Sequence, residues 1–306
     1  MPLASVAIRK RSMKLSAFVI ACCIGSPALA AISVRDDYGN TVVLQKPAQR
    51  IISMAPHVTE LLFAAGGGDR IVGAVSYSDY PEAAKRIARI GDNREVDIER
   101  VIAMKPDLLV VWLHGSSERQ VEILRKLGIP LFYSEPHKMD DIPGSLIRLG
   151  HLLGTDQEAR RAADDLQQKL AALAAHYANR SPVRLFYQVW HKPLFTLNGQ
   201  HIVSDAIRLC GGANIFANMK IIAPSVGIEA VLQENPEAIV GTAESTPADG
   251  GVNMWNTYTS MTAVRRGNLI TLDGNLLNRA GPRMVAGTAA LCEKLEQVRQ
   301  HRKNQP

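Results

Sequence analysis

The sequence predicts an α/β protein of two lobes, each a mainly parallel sheet flanked by helices, with one long α-helix joining them. Two observations carry this prediction. Strand-like and helix-like segments alternate in both halves of the 306-residue chain, which is the pattern of parallel sheets with crossover helices. Between the halves, residues 155–177 contain good helix formers throughout, with no glycine or proline.

These observations divide the chain into four parts. We expect a signal peptide at 1–30, an N-terminal lobe at 31–153, the linking helix at 154–179 and a C-terminal lobe at 180–306. Without the first part about 276 residues remain, a size at which one hydrophobic core usually splits into two. The linking helix would rise about 35 Å at 1.5 Å per residue, roughly the diameter of a small domain.

The first 30 residues show the order of regions that marks a secretory signal peptide. Four basic residues come first, an uncharged and largely apolar run follows at 15–25, and the small residues of 27–30 form a cleavage pattern. The apolar run is too short to span a bilayer as a helix. The sequence therefore predicts export to the periplasm with cleavage after Ala30. The residues up to Cys22 also resemble a lipoprotein cleavage box, so a lipid-anchored form is the alternative.

The net charge depends strongly on this leader. The whole chain carries +6, and removing the four basic residues of the leader leaves +2. The remaining chain has no long basic patch, so nucleic-acid binding is not expected. The hydrophobic fraction of the whole chain, 46%, and its charged fraction, 21%, are those of a globular protein with full cores.

In the first half, short β-rich runs alternate with helical ones. Residues 108–112 are apolar without interruption, as expected of a strand buried on both faces of a parallel sheet. Pro106 ends the helix before this strand, and Gly128 ends the helix after it. The predicted strands are 50–54, 71–75, 108–112 and 130–133. The predicted helices are 58–65, 97–104 and 118–127.

The second half repeats the alternation after the linking helix. The predicted strands are 183–189, 238–240 and 269–271. The predicted helices are 202–210, 228–233 and 283–299. Two cysteines remain outside the leader, Cys210 and Cys292, and neither has a CxxC partner or a metal-like spacing. An even pair in an oxidising compartment predicts a single disulfide bond.

Glu99 and Glu229 occupy equivalent places in the two halves. Each lies in the first turn of a short helix that is followed by proline, an acidic residue and a buried strand. A glutamate at a helix N-terminus complements the helix dipole, which accounts for either residue alone. It does not account for their equivalent positions, so we expect two exposed carboxylates with a shared role.

Several stretches of the chain resemble the periplasmic binding proteins of vitamin B12 importers. These proteins belong to a helical-backbone class that also holds siderophore, haem and zinc receptors. The resemblance covers nearly all of the chain after the leader. The run Ser-Tyr-Ser-Asp-Tyr-Pro and Trp112 point most narrowly to vitamin B12 receptors. The stretches are 76–81, 99–112, 118–121, 210–216 and 279–283.

The resemblance implies a monomeric carrier that is not an enzyme. Its transported ligand would be cobalamin or another corrinoid, and it would have no cofactor or metal of its own. The resemblance also implies docking of Glu99 and Glu229 on the permease dimer of an ABC transporter, and a disulfide between Cys210 and Cys292. The expected ligand-binding residues are Tyr77, Trp112, Trp190, Phe195, Asn275 and Arg279. Trp190 joins this set as an aromatic residue flanking the loop of Phe195. Asn275 joins it because it aligns with an aspartate of the family.

The chain departs from the best-known vitamin B12 receptors at three positions. Asn93 and Ala223 stand where those receptors have tryptophan, and Asn275 replaces the aspartate. We therefore expect a less aromatic cleft. His57, His114 and His191 fall near predicted strand ends, and imidazoles bind zinc and haem iron.

A haem, siderophore or metal-ion receptor of the same class is accordingly the alternative. A tetrapyrrole chelatase-like enzyme is less favoured, because no recognisable catalytic motif is present.

Overall fold

The protein is described here by a computed structural model that covers Met1 and residues 31–92, 94–112, 114–243 and 251–304. The predicted signal peptide, Cys22 and Asn93 lie outside these residues. Within the described ranges, no helix has the length and apolar character needed to cross a membrane.

The first half contains a two-stranded antiparallel hairpin and a four-stranded parallel sheet of order β4-β3-β5-β6. The hairpin consists of β1 (Ile32–Arg35) and β2 (Thr41–Leu44). The strands of the sheet are β3 (Ile51–Ser53), β4 (Ile71–Ala74), β5 (Leu108–Trp112) and β6 (Leu131–Ser134). The helices are α1 (Pro56–Ala64), α2 (Ile98–Ala103), α3 (Glu118–Lys126) and α4 (Asp141–Leu153).

Burial on both faces explains why β5 is a continuous apolar run. Leu108 and Val110 belong to one hydrophobic cluster, whereas Leu109 and Val111 belong to another. Successive side chains of a strand point to opposite faces, so the two clusters lie on the two sides of the sheet. All four side chains are fully buried, which is the environment that parallel strands require.

The second half contains another four-stranded parallel sheet, of order β10-β7-β11-β12. Its strands are β7 (Val183–Gln188), β10 (Gly212–Asn214), β11 (Ala238–Ala243) and β12 (Leu269–Asp273). A hairpin of β8 (Trp190–His191) and β9 (Leu194–Phe195) follows β7. The helices are α6 (Ile202–Leu209), α7 (Ile228–Glu234), α8 (Thr262–Arg265), α9 (Gly274–Leu277) and α10 (Met284–Asn304).

We call the sheet of β3–β6 with α1–α4 the first lobe, and the sheet of β7, β10, β11 and β12 with α6–α10 the second lobe. The two sheets have the same order, because β3, β4, β5 and β6 correspond to β7, β10, β11 and β12. The predicted fold class, two parallel α/β lobes with flanking helices, is confirmed. The predicted domain limits at 153/154 and 179/180 stay a proposal.

The helix α5 (Asp156–Tyr177) lies between the lobes in sequence. Its buried side chains recur at intervals of three, four and seven residues, so one face of the helix is apolar. These residues are Ala159, Ala163, Leu166, Leu170 and Tyr177. The helix contacts α1 and α4 of the first lobe and α6 and α10 of the second. This arrangement agrees with a rigid connection between them.

The disulfide bond between Cys210 and Cys292 is confirmed. It joins the residue that ends α6 to the middle of α10, across 82 residues of sequence. Both cysteines are fully buried. The bond therefore ties two helices of the second lobe together.

Two elements of the first lobe were not predicted. The first is α4; its Pro143 lies in the first turn, where the missing N–H leaves no hydrogen bond unmade. Gly154 ends this helix in the left-handed conformation, with φ of 68°. The hairpin of β1 and β2 was missed because its turn is held by side-chain bonds: Asp36 accepts from the N–H groups of Tyr38 and Asn40.

Candidate functional site

The side chains singled out in the sequence follow the carboxyl ends of strands in both lobes. Trp112 is the last residue of β5, and Tyr77 lies three residues beyond β4. Trp190 lies two residues beyond β7, and Arg279 follows β12 and α9. In open α/β sheets, ligands bind outside the carboxyl ends of the strands. These residues are therefore placed where a ligand site is expected.

Trp112 is half-buried and rests on α1. Its indole meets the His57 ring edge-on, with ring centroids 5.6 Å apart. Gly115 lies so close that a β-carbon there would be 1.8 Å from the Trp112 ring, so only glycine permits this loop path. The indole is thus held on two sides, and its remaining surface is open for contact.

His57 is a buried histidine at the start of α1. Burial lowers its pKa to about 4; a hydrogen bond to the Ser134 backbone opposes this shift, and the charge of Arg279 adds to it. The ring is therefore neutral at physiological pH. Its Nε2 atom is buried and has no hydrogen-bond partner among the described residues. The sequence suggested His57 only as a possible ligand of zinc or haem iron.

Tyr77 is held in an uncommon backbone conformation with its ring in solvent. Its φ is 64°, in the left-handed region, and 77% of its surface is exposed. For a bulky residue this conformation costs about 1–2 kcal/mol. Strain of this kind at an exposed aromatic residue is typical of a side chain presented for contact.

Trp190 and Phe195 form a direct cross-strand pair in the β8–β9 hairpin. Directly opposite residues point to the same face, so the two rings share one surface. Trp190 is 44% exposed, and its Nε1 donates to the Lys192 carbonyl at 3.0 Å. Phe195 is half-buried and bridges to Ser225. Within the described residues, no ring contact joins this pair to Tyr77 or Trp112.

Asn275 and Arg279 contact each other directly. Asp273 caps α9 by accepting from the Asn275 N–H at 2.8 Å, which fixes the Asn275 backbone. The Asn275 Oδ1 atom then accepts from Arg279 Nη2 at 2.7 Å. Only 12% of the Arg279 side chain is exposed. The structure thus brings two of the predicted ligand-binding residues together.

Arg279 also crosses to the first lobe. Its Nη1 donates to Asp79 Oδ1 at 2.7 Å and to Glu60 Oε1 at 3.3 Å. Together with the hydrogen bond to Asn275, Arg279 makes three hydrogen bonds, whereas a guanidinium has five N–H donors. Donors therefore remain for a ligand. Although partial burial works in the opposite direction, the hydrogen bond and charge of Arg279 lower the pKa of Asp79.

Glu60 and Arg283 complete this cluster and were missed from the sequence. Glu60 accepts from Arg283 Nε at 2.9 Å and from Arg283 Nη2 at 2.5 Å. The guanidinium of Arg283 also lies 3.9 Å from the centre of the Tyr80 ring. A signal was available: Glu60 is a carboxylate inside a helix otherwise rich in apolar residues, which predicts a buried ion pair.

Glu99 and Glu229 are exposed and lie in the first turns of α2 and α7. These helices precede β5 and β11, the corresponding strands of the two sheets. Asp97 caps α2 by accepting from the Arg100 N–H at 2.9 Å. Among the described residues, neither glutamate makes a salt bridge. The two carboxylates are therefore free in equivalent places, as the sequence indicated.

His114 and His191 are separate from His57. His114 pairs with Glu135, with Nδ1 3.3 Å from Oε2, and the His191 ring lies against Trp190. Within the part of the chain that the structure describes, no three histidine, cysteine or acidic side chains are grouped to hold a metal ion. The three histidines thus do not form a common centre.

Comparison with known proteins agrees with this architecture. A family model described as periplasmic binding protein matches residues 51–276. The Vitamin B12-binding protein of Vibrio cholerae is 37% identical over 251 residues, which are 82% of this chain and 90% of that protein. The crystal structure of the periplasmic vitamin B12 binding protein BtuF of Vibrio cholerae is 36% identical, with a TM-score of 0.77, and covers 83% of this chain and 98% of that one.

A more distant structure supports the fold alone. The periplasmic heme-binding protein RhuT of Roseiflexus sp. RS-1 is 23% identical, with a TM-score of 0.73, and covers 82% of this chain and 99% of that one. The match of the family model to most of the chain and the identity to curated relatives lead to one conclusion. The chain belongs to the periplasmic binding protein family.

Proposed function

We propose that the protein is a periplasmic solute-binding protein that captures cobalamin, or a closely related corrinoid, between its lobes and delivers it to an ABC transporter. The observation that carries this proposal is the 37% identity to a Vitamin B12-binding protein, because it spans 82% of this chain and 90% of that relative. Capture and release need no covalent chemistry, so the protein acts as a carrier and not as an enzyme.

The chemistry of the cleft supports this ligand class. A corrin is a large, flat ring fringed with amides, which requires apolar and aromatic walls and a few fixed polar groups. Tyr77 and Trp112 supply aromatic surface from the first lobe, and Trp190 and Phe195 supply it from the second. Arg279 contributes its remaining N–H donors to the amide fringe, with Asn275 fixing its orientation.

Delivery rests on the two lobe surfaces that carry Glu99 and Glu229. We propose that these carboxylates dock on basic residues of a two-fold permease dimer, and that the leader at 1–30 directs the protein to the periplasm. The helix α5 then acts as a stiff connection, with lobes at 31–153 and 180–306. A single packed helix permits less hinge closure than flexible crossovers do.

Calorimetric titration with cyanocobalamin tests the ligand. We expect binding tighter than about 1 µM, equivalent to about −8 kcal/mol. Absence of binding heat at micromolar protein, together with unchanged tryptophan fluorescence of the protein, would remove cobalamin from the proposal. The fold and family would stand.

A haem receptor is the second candidate, and His57 is the observation that favours it. Its ring is neutral and its Nε2 atom is unpartnered, which are properties of an iron ligand. Absorbance after titration with haemin and with cyanocobalamin separates the two, because a haem bound through imidazole shifts its Soret band. A shift that disappears in His57→Ala, without cobalamin binding, would favour haem.

A further inference from the structure

Glu60 is a buried carboxylate that belongs neither to the proposed ligand contacts nor to the proposed docking pair. It is 3% exposed and lies in α1 between Thr59 and Leu61, both fully buried. An ionised carboxylate in such a position is strongly destabilising unless it is paired and hydrogen-bonded. Both of its ionic partners, Arg279 and Arg283, come from the second lobe. The carboxylate therefore joins two lobes that only α5 connects in sequence.

The contact with Arg283 is bidentate and oriented. Two parallel N–H donors of Arg283 bind the two oxygens of Glu60, an arrangement that fixes direction as well as distance. The Tyr80 ring of the first lobe covers the same guanidinium at 3.9 Å. The hydrogen bond to Glu60 raises the pKa of Arg283, as expected when the charged form is held. The Arg283 side chain thus contacts two groups of the first lobe, the Glu60 carboxylate and the Tyr80 ring.

The segment between the two arginines lies directly on α1. A β-carbon added at Gly281 would be 3.5 Å from both Glu60 Oε2 and the His57 carbonyl oxygen. Arg279 and Arg283 are four residues apart and both donate to the Glu60 carboxylate. Glu60 therefore holds both ends of the segment 279–283. Asp79 supplies the second negative charge, and the cluster balances two acids with two bases.

We propose that Glu60 is a positioning residue at the lobe interface: it holds Arg279 and Arg283 against α1, fixes the separation of the lobes without ligand, and orients Arg279 for the ligand. The part that concerns the ligand rests on the proposed function. The part that concerns lobe separation does not, because every contact involved is within the protein.

The test is Glu60→Gln, which keeps the size of the side chain and removes its charge. We expect the radius of gyration from small-angle X-ray scattering to increase and the affinity for cyanocobalamin to fall about tenfold. Glu82→Gln is the matched control, since Glu82 belongs to the same lobe, is 84% exposed and pairs only with Lys85 among the described residues. The control should keep both values of the wild type.

A second variant addresses the same contact from the other lobe. Arg283→Gln should reproduce both changes, and the double variant should be less affected than the sum of the single ones, because each removes the same interaction. If Glu60→Gln fails to fold, the radius of gyration and the affinity of Arg283→Gln decide whether the proposal holds. A folded variant with lower thermal stability but unchanged radius and affinity would show a merely structural role and overturn the proposal.

The two proposals fail in different ways. If the wild type does not bind cyanocobalamin, the proposed function fails, and scattering of the same variants still decides the role of Glu60. If the wild type binds and both variants keep its radius and affinity, Glu60 has no positioning role and the proposed function is unaffected.

Discussion

The two lobes share one scaffold but differ in the aromatic residues that follow their strands. Their sheets have the same strand order, and corresponding helices precede corresponding strands. In the first lobe, Trp112 is half-buried against the buried His57. In the second, Trp190 extends on a short hairpin and is 44% exposed. The repeat therefore extends to the scaffold but not to the predicted contact residues.

This difference separates two kinds of function. Glu99 and Glu229 lie on the repeated part, in helices that precede corresponding strands, and a two-fold partner requires equivalent groups on both sides. The predicted ligand contacts lie on the parts that do not repeat, and an asymmetric ligand requires different groups from each lobe. Under the proposed function, docking and capture therefore depend on separate residues.

The largest expected effect comes from breaking the repeated pair. Replacing both Glu99 and Glu229 with alanine should reduce uptake of labelled cobalamin to background in cells that depend on this protein, because each lobe loses its proposed contact with the permease. Calorimetric affinity for cyanocobalamin should stay within about 0.5 kcal/mol of the wild type, since both residues are exposed surface positions.

Glu118→Ala is the matched control for this experiment. Glu118 is also exposed in the first turn of a first-lobe helix, but the corresponding helix α8 has no acidic residue there. Its replacement should leave uptake unchanged. Equal loss of uptake in the control would mean that general negative charge, and not the repeated pair, contacts the transporter.

Replacing Trp112 and Trp190 in turn compares how much each tryptophan contributes to the stability of its lobe and to ligand binding. Trp112→Ala should lower the free energy of unfolding by about 3 kcal/mol, because it leaves a hole beside His57 and Gly115. Trp190→Ala should change it by less than about 0.5 kcal/mol, since the ring is exposed. Both should weaken cyanocobalamin binding, by about 1–2 kcal/mol each. Urea unfolding and calorimetry measure the two effects, and equal stability losses would contradict the difference between the lobes.

The sequence was sufficient for the scaffold because the signals there are local. The apolar run of β5, the uninterrupted helix formers of α5 and the repeated acidic helix starts each depend on a few adjacent residues. The position of Glu60 in an apolar helix indicates a buried ion pair, but its partners Arg279 and Arg283 could not be identified, because they lie more than 200 residues away in sequence. Burial of His57 depends on the same long-range packing, so its neutral state was equally hidden.

The smallest expected effect compares two histidines, the buried His57 of the first lobe and the half-buried His201 of the second. Burial lowers the pKa of both His57 and His201 to about 4, with charge from Arg279 and His137 adding to it respectively. Each ring stays neutral in the folded protein while the unfolded chain gains a proton below pH 6.5. The stability that each contributes is therefore present above pH 6.5 and lost as the pH falls towards 4.

Between pH 7 and pH 5, each of these two histidines should lower the free energy of unfolding by about 2 kcal/mol, and urea titrations at both pH values measure this. His57→Gln and His201→Asn should each reduce this pH-dependent loss of stability by the contribution of one histidine. Asparagine is chosen at position 201 because its side chain can still cap α6. His176→Gln, on the exposed face of α5, should leave the loss as in the wild type. If His57→Gln loses as much stability between pH 7 and pH 5 as the wild type, while His201→Asn loses less, then His57 is hydrated in the folded protein. The environment of His57 in the first lobe would then exclude water no better than that of His201 in the second.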